Sequence, residues 1–393
     1  MMKDPVTVST GITYDRESIE KWLFSTKNNL TCPVTKQSLS DSDLTPNHTL
    51  RRLIQSWCTM NASLGIERIP TPKPPINKTQ IVNILKDAKS PESQIRCLRR
   101  LRSIAAESQT NKRCIESAGA VELLASLIVN NNNNNDDDVN YGSALEASDE
   151  ALCTLHNLKL SKDVLKILIG QNCEFLDSLT KTLRRGSYES RAYAVVMLKS
   201  MFEVAEPTRL ITLRAQFFVE LVQVLKDQIS PQASKATVQL LIQLCPWGRN
   251  RVKAVEAGAV SVLIELLLDT SERRPCELML MGLDMLCGCA EGRAELLKHG
   301  AGLAMVSKKI LRVSQVGSEK AVRILYSISR FSASPSVLHE MLQLGVVTKL
   351  CLVIQVDVGS KTREKATEIL KLHARTWKNS PCIPMSLVSS YPA

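Results

Sequence analysis

Cys32, His48 and Cys58 are the only thiol or imidazole side chains in the first 58 positions. They stand 16 and 10 residues apart. A closed tetrahedral zinc site needs four ligands, usually in closely spaced pairs, so these three cannot make one. Cys287 and Cys289 form a C-x-C pair with no second pair nearby, which also argues against a metal. No cysteine sits with a histidine base in a nucleophile motif. There is no phosphate-cradling glycine loop, and no carboxylate pair stands in a catalytic context. The chain is therefore expected to carry no catalytic residue, no cofactor and no metal. What is left is binding chemistry, and Trp22 is one side chain that a partner could reach.

The elements that would position Trp22 can be read locally. Asp15 is expected to cap a helix running through Ile19, Trp22, Leu23 and Phe24. Ile19 and Leu23, one turn apart, would face a core. Trp22 would then sit at the border of that face, within a partner's reach. Asn47 is expected to cap a second helix with Leu50, Leu53, Ile54 and Trp57 on its apolar stripe, which makes Trp57 a core residue. Gly11 would turn the chain between β-rich pieces at 6–9 and 12–14.

Composition bounds the rest. The chain has 393 residues, room for two or more domains, with 44% apolar and only 4% aromatic residues. That balance suits helices packed with Leu, Ala, Val and Ile. No run of 18 apolar residues appears, so no transmembrane segment is expected, and the polar N-terminus does not read as a signal peptide. The 12 cysteines are scattered, with Cys97, Cys153, Cys245, Cys287 and Cys351 on apolar helical faces. They read as buried free thiols of a reducing compartment, with the cytoplasm as the expected location and the nucleus as a second. A net charge of +11 and a pI of about 9.1 could serve an acidic partner or nucleic acid. The densest basic cluster, Arg96, Arg99, Arg100 and Arg102, lacks interleaved aromatics, and no nucleic-acid motif is present, so no nucleic-acid partner is expected.

From about Thr79 to Trp377 apolar residues recur at three and four, the period of helices. The region repeats. A glycine followed by an apolar run occurs at Gly119, Gly258, Gly300 and Gly345, the last three 42 and 45 residues apart. A basic residue followed by alanine recurs as Arg191-Ala192, Lys235-Ala236, Lys320-Ala321 and Lys365-Ala366, with steps of 44, 85 and 45. A helical period of about 40–47 residues is that of armadillo and HEAT repeats. The glycines would allow tight turns between helices, and the alanines a close approach. About six or seven repeats would form one continuous core. The Asn/Asp run that begins at Asn130 cannot bury apolar surface and is expected to be a disordered loop. Residues 69–77, IPTPKPPIN, read as an extended spacer. The Pro/Ser-rich end from Ser380 reads as a frayed tail.

The segments DPVTVSTGITYDRESIEKWL, CPVT and PNHTLRRLIQSWC resemble the U-box, the zinc-free relative of the RING domain, in order, spacing and residue type. With a Pro-rich spacer and armadillo repeats behind it, the chain resembles the plant U-box ubiquitin ligases. LCGCAEGRAELLKHG is similar to a subgroup of that family. The resemblance implies a mostly α protein, with a small zinc-free α+β U-box at 1–62 and a linker at 63–78. An all-α armadillo solenoid would follow at 79–378, with a disordered loop at 130–140 and a flexible tail at 379–393. It also implies the partners: a ubiquitin-conjugating enzyme, ubiquitin, and a substrate protein on the armadillo groove. The docking residues it implies are Trp22, Pro33 and Val34, flanked by Thr35. Lys36 would be a polar donor that helps to lock conjugating enzyme and ubiquitin together. Roles in plant defence and stress are a family analogy. The family carries a segment of the type Pro-x-x-Phe-x-Cys-Pro-Ile before its Met-Lys-Asp-Pro run, whereas this chain starts at Met1-Met2-Lys3-Asp4-Pro5. The expectation is a U-box without its first loop. The alternative is a non-catalytic armadillo adaptor with a defective U-box. An importin-like carrier is disfavoured because Trp247 is the only Trp in the repeats before Trp377.

Overall fold

Alternating residues around Gly11 form the N-terminal hairpin. In the computed structural model, β1 (Pro5–Thr7) pairs antiparallel with β2 (Thr13–Asp15), Val6 opposite Tyr14. Gly11 takes a left-handed φ of 80° at the turn, which glycine adopts without a Cβ clash. On its other edge β1 pairs with β3 (Thr45–Pro46), giving the order β2-β1-β3. Helices α1 (Arg16–Ser25) and α2 (His48–Met60) complete this part. The structure describes residues 1–25, 31–39, 44–69, 76–133, 141–171, 173–356, 359–378, 380–381, 383, 385 and 391–392. The prolines of the expected spacer, 70–75, lie outside them, as do 134–140 of the Asn/Asp run.

The small core holds Val6, Val8, Ile19, Leu23, Cys32 and Leu39, with Ile12, Tyr14, Trp22 and Leu44 packed around it. Asn47 caps α2 as expected, its Oδ1 accepting from Leu50 N at 3.0 Å. Asp15 does not cap α1. Pairing with Pro5 brings its carboxylate to the amides of Lys3 and Asp4, each 2.8 Å away, and it accepts from those. The face of α2 also differs from expectation. Cys58 is buried, while Leu53 is 63% and Trp57 46% exposed. Periodicity marks an apolar stripe but does not say what covers it.

The remaining described residues form helices in triplets. A leading pair, α3 (Lys78–Asp87) and α4 (Pro91–Glu107), precedes them. The triplets are α5 (Gln109–Ser117), α6 (Ala120–Asn133) and α7 (Tyr141–Leu158); α8 (Lys162–Gln171), α9 (Cys173–Arg185) and α10 (Tyr188–Phe202); and α11 (Pro207–Ile211), α12 (Ala215–Lys226) and α13 (Pro231–Leu244). Then come α14 (Asn250–Glu256), α15 (Ala259–Asp269) and α16 (Arg273–Leu286); α17 (Ala290–Lys298), α18 (Gly302–Lys309) and α19 (Gln315–Phe331); and α20 (Pro335–Gln343), α21 (Val346–Gln355) and α22 (Ser360–Leu372), closed by α23 (Ala374–Trp377). Helix α6 continues through Asn130–Asn133, so these asparagines are helical rather than part of a loop. The chain divides into two compact units, Met1–Leu124 with Cys153–Lys159, and Ala125–Leu152 with Leu160–Ala393.

In the second unit the third helices stack in order, α10 on α13, α13 on α16, α16 on α19 and α19 on α22. Ala236, Ala321 and Ala366 are buried where these helices meet, while Ala192 is only half-buried. There Ala194 packs instead, and the neighbouring Arg191 turns inward to pair with Asp227. Gly258 and Gly345 take φ of 87° and 68° at the turn before the second helix of a triplet. Gly300, the third repeat glycine, has no such φ; its neighbour Gly302 is required by space, since a Cβ there would lie 2.0 Å from the Leu296 carbonyl. Buried polar groups cap carbonyls between repeats. Asn250, fully enclosed, donates to Leu210 O at 2.6 Å and Leu244 O at 3.2 Å. Cys153, Cys245, Cys287 and Cys351 are buried free thiols, whereas Cys97 is half-buried. Cys289 has a local task, its Sγ accepting from Gly292 N at the start of α17. The tail is not wholly frayed: Ile383 and Tyr391 are buried, and Tyr391 donates to Leu370 O at 2.8 Å. No single described helix is long and apolar enough to cross a membrane; α20 and α21 reach that composition only together, across a 66° bend.

Candidate functional site

The loop that begins at Thr31 is a tight reversal. Cys32 N donates to Gln37 O, Lys36 N donates back to Cys32 O, both at 2.9 Å, and Thr31 bridges Ser38. Lys36 closes it with φ +59°, a left-handed conformation that a residue with a Cβ adopts at a cost. The reversal leaves Pro33 half-buried and Val34 67% exposed at its tip. Its base is tied to the hairpin by Tyr14, whose hydroxyl lies 3.0 Å from Cys32 Sγ and accepts from Val34 N at 3.3 Å.

Helix α1 delivers Trp22 to this loop. Ile19 and Leu23 are buried as expected, which leaves Trp22 half-buried at the edge of their face. Its indole N–H donates to Thr31 O at 2.9 Å, so the ring is locked against the loop. Lys36 Nζ stands 5.3 Å from the centroid of that ring, within cation–π reach. Trp22, Pro33, Val34 and Lys36 thus share one surface where α1 meets the loop: an exposed apolar tip, a fixed aromatic edge and one cation. Thr35 is exposed beside them.

The electrostatics beneath that surface come from local contacts. Desolvation pushes the Cys32 thiol up, but hydrogen bonds with Thr10, Thr35 and Tyr14 outweigh it and bring it down to about 6. Tyr14 is raised, first by burial and then by its bond to Cys32. On the far side of α1, Arg16 pairs with Asp4 at 2.6 Å and lies 3.8 Å from Glu20, while Arg51 of α2 lies 3.8 Å from Asp4. Glu20 is buried and accepts from Thr110 Oγ1 of α5 at 2.5 Å. Cys32, His48 and Cys58 are engaged separately, with Tyr14, Arg51 and Met1 respectively. Among the described residues no group of three potential metal ligands forms.

Sequence reasoning missed Tyr14, Thr31 and the Asp4–Arg16–Glu20 network. The i,i+4 spacing of Arg16 and Glu20 was a visible signal for the last. Tyr14 and Cys32 are 18 positions apart, and only the fold brings them together.

Residues 1–63 match the U-box domain, and residues 80–393 match the plant U-box protein ARM repeat region. Along its full length the chain is 58% identical to the E3 ubiquitin-protein ligase PUB23 of Arabidopsis thaliana, covering 94% of it. It is 56% identical to the E3 ubiquitin-protein ligase PUB22 of the same plant, also along its full length and covering 96% of that protein. In fold it is similar to a chain from a solved structure of the cadherin and beta-catenin interaction, with a TM-score of 0.61 at 14% identity, over 85% of this chain and 58% of that one. The chain belongs to the plant U-box proteins with an armadillo-repeat region.

Proposed function

We propose that this protein is a ubiquitin ligase whose U-box docks a ubiquitin-charged conjugating enzyme on Trp22, Pro33, Val34 and Lys36, while its armadillo repeats hold the substrate. The observation that carries the reading is the shared surface of those four residues: the half-buried indole fixed to Thr31 O, the exposed Val34 tip and Lys36 over the ring. The reaction moves the ubiquitin C-terminal carbonyl from the conjugating enzyme's thioester sulfur to a substrate lysine nitrogen. The ligase forms no covalent intermediate and contributes proximity and orientation. Lys36 is suited to donate across the docked pair. The stacked third helices of the second unit offer the substrate face; there Arg323 pairs with Asp284 at 3.0 Å and Tyr326 donates to Glu368 at 2.7 Å, so polar side chains are held in fixed directions.

The test is Trp22→Ala in chain assembly with activating enzyme, conjugating enzyme and ATP. One aromatic truncation at the centre of a small docking surface often costs about 2 kcal/mol or more. Chain formation is expected to fall by more than about tenfold, with the helical circular-dichroism signal of the repeats unchanged. Unchanged chain formation by a folded variant would reject this docking surface. A wild-type chain that binds substrate but never forms chains would favour the adaptor reading.

A further inference from the structure

Lys309 is the last residue of α18 and only 8% exposed. Lysines this buried ordinarily pair with a carboxylate. Lys309 instead donates to Thr270 O at 2.8 Å and to Cys276 Sγ at 3.3 Å. Cys276, on the first turn of α16, is fully enclosed, and its thiol points at the same Thr270 carbonyl at 3.5 Å. Two other lysines reach a carbonyl of a preceding repeat, Lys253 to Leu213 O and Lys349 to Ser307 O, and the acceptors there are oxygen. At Lys309 the amine is held against a sulfur.

We infer that Cys276 and Lys309 form an oxidative N–O–S cross-link, a modification site that staples α16 to α18. The chemistry balances with dioxygen as the oxidant. The S–H bond of Cys276 and two N–H bonds of the Lys309 ammonium break, one of the latter releasing a proton to solvent, and S–O and O–N bonds form. One oxygen atom becomes the bridge; the other leaves as water with the remaining two hydrogens. Sulfur and nitrogen each give up two electrons, and dioxygen takes all four. The observed contact meets the geometric need, because a single bridging oxygen asks the two atoms to close by only a fraction of an ångström from 3.3 Å. Enclosure of Cys276 keeps bulky thiols away, which would otherwise divert the oxidised sulfur into a mixed disulfide. The link joins α16 to α18 beside the Thr270 carbonyl, which lies in the turn between α15 and α16.

The experiment uses the full-length protein, one sample held in oxygenated buffer and one kept anaerobic with reductant. Both are digested and read by mass spectrometry. In the oxygenated sample the Cys276 and Lys309 peptides are expected joined, at their summed mass plus one oxygen and less two hydrogens. Dithiothreitol should return both, and the joined species should vanish in Cys276→Ser and in Lys309→Arg. The Lys253 and Lys349 peptides should stay single. Recovery of the two peptides separately, with Cys276 as thiol or as its sulfenic or sulfinic acid, overturns the inference. So does a joined species that lacks the extra oxygen. Both readings come from the wild-type protein, so they hold even where a variant fails to fold.

Discussion

The U-box and the armadillo repeats solve the same packing problem with different materials. Among the described residues the U-box core is one cluster of six buried apolar side chains, a small one for a domain of that size. Polar contacts do the rest: Asp15 gathers two amides, Tyr14 joins hairpin to loop, and Arg16 sits between Asp4 and Glu20. The repeats are built the other way. Long ranks of Leu, Val, Ile and Ala are enclosed from one triplet to the next, and single polar residues such as Asn250 cap what would otherwise be orphaned carbonyls. Loss of an apolar side chain should therefore matter most in the repeats. Loss of a polar one should matter most in the U-box.

The strongest test is Phe218→Ala in α12. Phe218 is fully enclosed and meets Phe217 edge-on at 5.5 Å. Emptying such a site costs about 3–5 kcal/mol. Urea unfolding should show that loss. Hydrogen exchange should rise in α12 and in its neighbours α9, α13, α14 and α15, because a repeat array transmits stability mainly to adjacent repeats. Peptides from residues 1–65 should exchange as before. Faster exchange there would mean that the two regions do not stand on separate cores.

How much of this was legible beforehand differs between the regions for the same reason. The helical triplets follow from periodicity and repeat spacing, because each repeat mostly meets its neighbours. Gly258 and Gly345 could be read as turns because left-handed backbone favours glycine. Gly300 could not be separated from Gly302, because that need arises from the Leu296 carbonyl. In the U-box, Asn47 was readable as a cap since its partner is three residues on. Asp15 was misread as one because strand pairing gave it better donors. Trp22, Pro33, Val34 and Lys36 came from family resemblance. The Tyr14 and Thr31 contacts that fix them depend on chain reversal, which no local pattern encodes.

A polar deletion in the U-box should cost less than Phe218→Ala, yet reach further across its own domain. Arg16 is the residue to remove, as Arg16→Met, which keeps the stem and drops the charge. Asp4 would lose its 2.6 Å partner and Glu20 its neighbouring cation. The side chains are about one-sixth exposed or less, between the limits for exposed and buried pairs, so a loss of about 2 kcal/mol is expected. Exchange should quicken in β1, α1 and α2 together, while α12 to α22 stay unchanged. A loss confined to α1 would mean that the charges are decorative and that the six-residue core suffices.

The smallest effect should come from Thr110→Val, and it tests where the comparison stops. Thr110 belongs to α5 of the repeats, yet its hydroxyl donates to Glu20 of α1 at 2.5 Å. Valine keeps the shape and removes the donor. Glu20 retains Arg16, and Thr110 is half-buried, so water can replace the lost hydroxyl. The cost should be about 1 kcal/mol, that of an ordinary hydrogen bond, rather than the larger figure for a sealed charge. Its meaning lies in the coupling. If Glu20 and Thr110 act as one contact, Glu20→Gln with Thr110→Val should cost less than the sum of the two single changes, by about 0.5 kcal/mol or more. Exchange should then quicken in α1 and α5 in either single variant. Strict additivity, with each variant loosening only its own helix, would show that the U-box and the first repeat touch without sharing stability.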